Sequence, residues 1–206
     1  MTKVFCIGDS IRMQYAPRVK EMLKEEFSVD APAENCRFAK YSLRGLYDWR
    51  AGLEGCDIVH WNNGLWDVCD IFGDGVFTSE EEYATTMLRI ADLLLKEHEI
   101  VIFATTTPVS KRNQHNTNET IARYNRMIVP LLEAKGVLIN DLYTPVAADI
   151  NRYISEDTIH LSEEGIALCA AQVADAIRKA AGLLSGEAPK VAKAAKETMG
   201  APVKFQ

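Results

Sequence analysis

The chain has 206 residues, of which 48% are hydrophobic and 25% charged, with a formal net charge of −6. That is enough chain for one domain around a single core, and the acidic balance, with no basic stripe anywhere, argues against a nucleic-acid partner. No run approaches the ~20 apolar residues of a membrane span, and no apolar signal segment precedes the first strand, so a cytoplasmic protein with no membrane partner is expected.

The first buried run, Val4, Phe5 and Ile7, reads as a strand of a parallel sheet, and Gly8 lets the chain turn off its end. A helix is predicted from Pro17 to Glu26, with Val19, Met22, Leu23 and Phe27 at helical spacing, followed by a short strand from Ser28 to Ala31. Leu43 to Leu53 reads as a helix, and Asp57-Ile58-Val59-His60 as the next strand. Residues 68–78, with Gly73 and Gly75, form a loop closed by Thr78 or Ser79 as the cap of a long helix, Glu80 to Glu97.

Ile100 to Ala104 is a further buried strand, and the polar segment Ser110 to Asn118 a surface loop beside any site at that edge. A helix then runs to about Ala134, a strand covers Val137 to Asn140, and a last helix runs from Ser162 to about Ala181 with Ile166, Leu168, Cys169, Val173 and Ile177 inward. Strands and helices alternate at the pace of a doubly wound α/β sheet, a single domain over residues 1–184. From Ser185 to Gln206 the character changes, and this segment reads as a mobile tail or as an appended helix packing on a second copy, which would make a homo-oligomer.

Polar residues gather where strands end. Gly8-Asp9-Ser10 follows the first strand, at the carboxyl edge where open α/β folds place their sites. As plain structure, Asp9 and Ser10 would only turn or cap the chain. In Asp157-x-x-His160 one turn presents a carboxylate and an imidazole to the same region, and a serine hydroxyl needs such a base to become a nucleophile. Ser162-Glu163-Glu164 starts the helix that would fix this loop. Trp61-Asn62-Asn63-Gly64 ends the middle strand, and it is either an ordinary turn or a source of an amide donor for a negative oxygen.

The order Gly8-Asp9-Ser10, an Asn after a middle strand, and Asp157-x-x-His160 resembles the SGNH hydrolases, also called the GDSL esterase/lipase superfamily, over residues 3 to 182. The resemblance implies a flavodoxin-like three-layer α/β/α sandwich around a parallel sheet, and ester hydrolysis through an acyl-serine intermediate. It makes Ser10 the nucleophile, His160 the base and then acid, Asp157 its orienting partner, and the Ser10 N–H and Asn62 oxyanion donors. Two blocks depart from the family pattern. His60 and Asn63 stand where the third block has Gly and Asp, and no glycine fills the second block, so the backbone of Lys40, or failing that of Gly45, is expected to supply the remaining donor.

Asp9, Trp61, Asn63 and Trp66 are candidate substrate contacts, and Arg12, Tyr15 and His115 are further candidates to approach the cleft, with no motif behind them. The implied substrate is a small ester, with acetyl or another short acyl group on a carbohydrate as the leading form. The alternative is a catalytically silent module binding a carbohydrate or other small molecule on the same fold. No histidine pair has a ligand spacing such as His-x-x-x-His, so neither a metal nor a cofactor is expected. The five cysteines, Cys6, Cys36, Cys56, Cys69 and Cys169, are odd in number and lack Cys-x-x-Cys spacing, which suits neither a disulfide framework nor a zinc knuckle.

Overall fold

A computed structural model describes residues 1–184, and the tail reading for Ser185 to Gln206 lies outside the described residues. Five parallel strands, β1 (Thr2–Ile7), β2 (Phe27–Asp30), β3 (Ile58–Trp61), β4 (Ile100–Ala104) and β5 (Leu138–Asn140), form one sheet in the order β2-β1-β3-β4-β5. The helices are α1 (Ser10–Leu23), α2 (Ala39–Asp48), α3 (Arg50–Leu53), α4 (Glu80–Glu97), α5 (Asn118–Glu133), α6 (Tyr143–Ala147), α7 (Ile150–Tyr153) and α8 (Glu163–Leu184). α1 packs on α8, α2 on α4 and α4 on α5, so the sheet lies between two helical layers. This is the expected three-layer α/β/α sandwich. None of the described helices is long and apolar enough to cross a membrane.

The strands are continuous apolar runs because both faces are covered: Val4 to Ile7 and Ile58 to Trp61 are buried throughout. The chain leaves β1 toward β2 and later leaves β3 toward β4, in opposite directions across the sheet. Right-handed crossovers therefore send the two connections to opposite faces, and a crevice opens between the carboxyl ends of β1 and β3. Ser10 follows one of these ends and Asn62 the other.

Several boundaries differ from the sequence reading, each for a local reason. α1 starts at Ser10, seven residues before Pro17, because the Asp9 carboxylate accepts the Ile11 N–H (3.0 Å) and caps the helix. Pro17 therefore lies inside the helix, and Met22 faces solvent. The stretch read as one helix over 43–53 is α2 and α3, broken at Trp49, and α2 starts at Ala39. β2 sits one residue earlier than expected, and the short helices α6 and α7 fill a stretch with no assigned element. α4 begins as expected, with Ser79 Oγ accepting the Glu82 N–H, and Ser162 Oγ accepts the Gly165 N–H at the start of α8.

Candidate active site

At the β1 end, Asp9 caps α1, which leaves the Ser10 N–H in the first turn with no intrahelical acceptor. Ser10 Oγ lies 2.8 Å from His160 Nε2, and His160 Nδ1 lies 2.6 Å from Asp157 Oδ2. The other carboxylate oxygen, Asp157 Oδ1, accepts the Ile159 and His160 N–H groups and the Ser155 hydroxyl (3.0, 2.9 and 2.8 Å). Desolvation pushes the Asp157 carboxyl up, but these donors and the imidazole outweigh it and hold it well below the usual carboxylate range. A fixed carboxylate on Nδ1 keeps the proton there and leaves Nε2 free to take one from Ser10.

The loop carrying this pair is strained and pinned. Thr158 has a positive φ of 77°, a region that costs a β-branched residue about 1–2 kcal/mol. Its carbonyl accepts the Ser110 N–H (2.9 Å) and its hydroxyl accepts from Asn113 Nδ2 (3.0 Å), so the polar segment 110–118 does flank the site. His115 is tied to the neighbouring loop, its ring Nδ1–H donating to the Asp70 carbonyl (3.2 Å).

Sequence reading missed Gln14. It lies one turn after Ser10 on α1, and its amide exchanges two bonds with the Leu161 backbone: Leu161 N–H to Oε1 (3.0 Å) and Nε2 to the Leu161 carbonyl (3.3 Å). Another turn on, Arg18 pairs with Glu163. Ser10, Gln14 and Arg18 thus form a helical stripe that meets His160, Leu161 and Glu163 in the same order. The i, i+4, i+8 spacing from Ser10 was the available signal.

Asn62 occupies the other side of the crevice. Its Nδ2 donates one hydrogen to Asp9 Oδ1 (3.0 Å), and its Oδ1 accepts from the Tyr15 hydroxyl (3.3 Å), which fixes the amide orientation and leaves the second Nδ2 hydrogen available. Gly8 makes this approach feasible: a Cβ there would lie 2.0 Å from Asn62 Oδ1 and 2.7 Å from Arg12 Cβ. Gly8→Ala is therefore expected to displace the amide, costing about 1–3 kcal/mol by overpacking and about 10²-fold or more in kcat if Asn62 is an oxyanion donor. Denaturant midpoints and ester kinetics on the same preparation check both numbers.

The second-block segment reaches the site through its backbone. The Cys36 N–H donates to the Gly8 carbonyl (3.1 Å), and Asn63 Nδ2 donates to the Arg37 carbonyl (2.7 Å), which sets the start of α2 against the ends of β1 and β3. Arg37 has a positive φ of 49°, a conformation more natural to glycine. Lys40 lies in the first turn of α2, where its N–H has no intrahelical acceptor, while its side chain turns away to pair with Glu82 of α4. Gly45 does not serve as the alternative: it lies in the helix interior, where its N–H belongs to the backbone ladder, and Trp49 packs over it.

Of the expected substrate contacts, only Trp66 presents a large surface to solvent, at 43% exposure. Trp61 is buried, meets Phe103 edge-to-face with ring centroids 5.2 Å apart, and donates from Nε1 to Asn63 Oδ1 (2.7 Å). Asn63 is buried with both ends of its amide in use. Asp9 is also buried and serves the α1 cap and Asn62, and burial pushes its carboxyl above the ordinary range despite Asn62, Ile11, Arg12 and His160. Arg12 is a buried strut whose guanidinium donates to the carbonyls of Gly8, Pro32 and Glu34. His60 is buried, its ring edge-to-face with Tyr15, and desolvation pushes its pKa down to about 3, so it is neutral.

The sheet order, the crevice and the strand-end placement of these residues define the SGNH hydrolase fold. No family model matches the chain, and no curated protein sequence does. Among solved structures the chain is similar to an acetyl xylan esterase, with a TM-score of 0.72, 19% identity, and 85% of this chain and 99% of that one covered. It is likewise similar to a GDSL-like lipase from Bacteroides thetaiotaomicron (TM-score 0.70, 19% identity, 87% and 89% covered). A tryptophan variant of an acetyl xylan esterase from Geobacillus stearothermophilus matches with a TM-score of 0.68 at 17% identity, covering 82% and 91%.

Proposed function

We propose that the protein is a serine hydrolase that cleaves a short acyl ester through an acyl-serine intermediate. The observation that carries this reading is the hydrogen-bonded line Ser10 Oγ, His160 Nε2, His160 Nδ1, Asp157 Oδ2 at the mouth of the crevice. Ser10 attacks the acyl carbonyl while His160 takes its proton. The negative oxygen forms against the Ser10 N–H, the free Asn62 Nδ2 hydrogen and the Lys40 N–H. Collapse expels the alcohol, which receives the proton from His160. Water, deprotonated by the same imidazole, then releases the acid and restores Ser10.

Two of the three similar structures named above are acetyl xylan esterases, which favours acetyl on a carbohydrate as the substrate class. His160 and Asp157 are partly open to solvent, with Trp66 exposed nearby on the chain following Asn62, and this suits a substrate that docks at the surface with a bulky alcohol part. All five cysteines are free thiols, which fits a reducing compartment, and we place the protein in the cytoplasm on that ground.

A fluorophosphonate is expected to add once to the wild type, as read by intact mass, and not to Ser10→Ala. Short p-nitrophenyl esters and acetylated xylo-oligosaccharides are expected to turn over faster than long-chain esters. A folded wild type that takes no adduct and hydrolyses none of these would refute the hydrolase and favour the silent binding module.

A further inference from the structure

Asp67 is fully buried and plays no part in the mechanism above. It follows the strand-end turn Asn62-Asn63-Gly64, yet its carboxylate reaches back 28 residues in sequence, and both oxygens accept the Ala39 N–H, each at 3.1 Å. Ala39 is the first residue of α2, whose N-cap position is held by Phe38, a residue with no side-chain acceptor to offer. Asp67 therefore caps this helix from another part of the chain. The Thr78 hydroxyl also bonds the Asp67 carboxylate, and the Thr78 N–H donates to the Asp67 carbonyl (2.9 Å). One residue thus joins the start of α2, the end of the β3 turn and the close of loop 68–78.

The next N–H in α2 is that of Lys40. We propose that Asp67 is a positioning residue of the oxyanion hole, holding the first turn of α2 so that the Lys40 N–H is free and fixed beside Ser10; this rests on the hydrolase reading given above.

The cost of the arrangement supports a functional reason for it. The Asp9 carboxyl adds to the penalty on Asp67, and Asp67 in turn raises the Tyr83 and Tyr124 phenols. Desolvation pushes the Asp67 carboxyl up to about 7, against the bonds from Ala39 and Thr78. A carboxyl whose folded pKa is raised favours the fold below its ordinary value near 3.8, and that contribution is lost as pH rises toward about 7. At pH 8 the fold therefore carries a buried charge that an uncharged isostere would spare it. Features kept against stability tend to belong to sites.

The test is Asp67→Asn in the full chain, read as kcat per fluorophosphonate-labelled site, KM, and melting temperature at pH 5 and pH 8. The expected result is a fall in kcat per site of about tenfold or more with KM within about threefold, as for a displaced oxyanion donor. The variant's melting temperature relative to wild type should rise between pH 5 and pH 8. An active wild type with kcat per site unchanged in Asp67→Asn overturns this proposal alone. A wild type that neither labels nor hydrolyses overturns the hydrolase reading, and this one with it. If Asp67→Asn does not fold, Thr78→Val replaces it: a lowered kcat per site at constant KM supports the role, and an unchanged one overturns it.

Discussion

Ser10→Ala and His160→Ala are each expected to lower kcat for a short p-nitrophenyl ester by about 10⁴- to 10⁶-fold, the range found when a nucleophile or its base is removed from such a unit. The two losses should not add, because a serine without its base and a base without its serine are equally idle. Stability should hardly move. Ser10→Ala forfeits one partly exposed bond to His160 at 2.8 Å, a contact worth about 1 kcal/mol, and for a chain of this size that is a few degrees in melting temperature. Steady-state kinetics with a parallel thermal melt separates the two effects. Retained turnover in a folded Ser10→Ala would move the nucleophile elsewhere.

Asp157→Asn is expected to cost about 10⁴-fold in kcat while leaving the loop in place. The Asn oxygen can still accept the Ile159 and His160 N–H groups that Oδ1 takes now. Facing His160 Nδ1 at 2.6 Å, however, an amide NH₂ replaces an acceptor, so the imidazole turns its acceptor nitrogen inward and carries its proton on Nε2. That nitrogen then donates to Ser10 Oγ and no longer takes its proton. A second signature lies in stability against pH. The folded Asp157 carboxyl sits below its ordinary value near 3.8, so its contribution is present above that value and is lost as pH falls through the folded pKa. Wild type should therefore lose stability on acidification below about pH 4 more steeply than Asp157→Asn. The effect is small because the side chain is half exposed, and it is best read from melting temperatures between pH 3 and pH 6.

Much of the site was legible along the chain because its chemistry is local. Val4 to Ile7 announces a buried strand, Gly8 the turn and Asp9-Ser10 a polar strand end. Asp157 and His160 are close enough in sequence to meet within one turn, as they do. The same local reasoning placed the starts of α4 and α8 through their serine caps. It misplaced α1, because Pro17 is at home in a first helical turn, whereas the cap that starts the helix is Asp9, and the helix begins seven residues before the expected start. It misplaced α2 for a different reason: that helix is capped by Asp67, and no residue near Ala39 in sequence reveals it.

The side-chain types, their strand-end positions and the Asp157-x-x-His160 offset were determined by the sequence itself, since each depends on the residue and a few neighbours. Only the tertiary structure decided which of them meet. Ser10 reaches His160 across 150 residues, and Gln14 reaches Leu161 across 147. Trp61 and Asn63 turn into the core, although their strand-end positions matched those of residues that face the crevice. The physical reason is the winding of the sheet. Connections that leave β1 and β3 in opposite directions open one crevice between them, and successive side chains at a strand end point to opposite faces of the sheet.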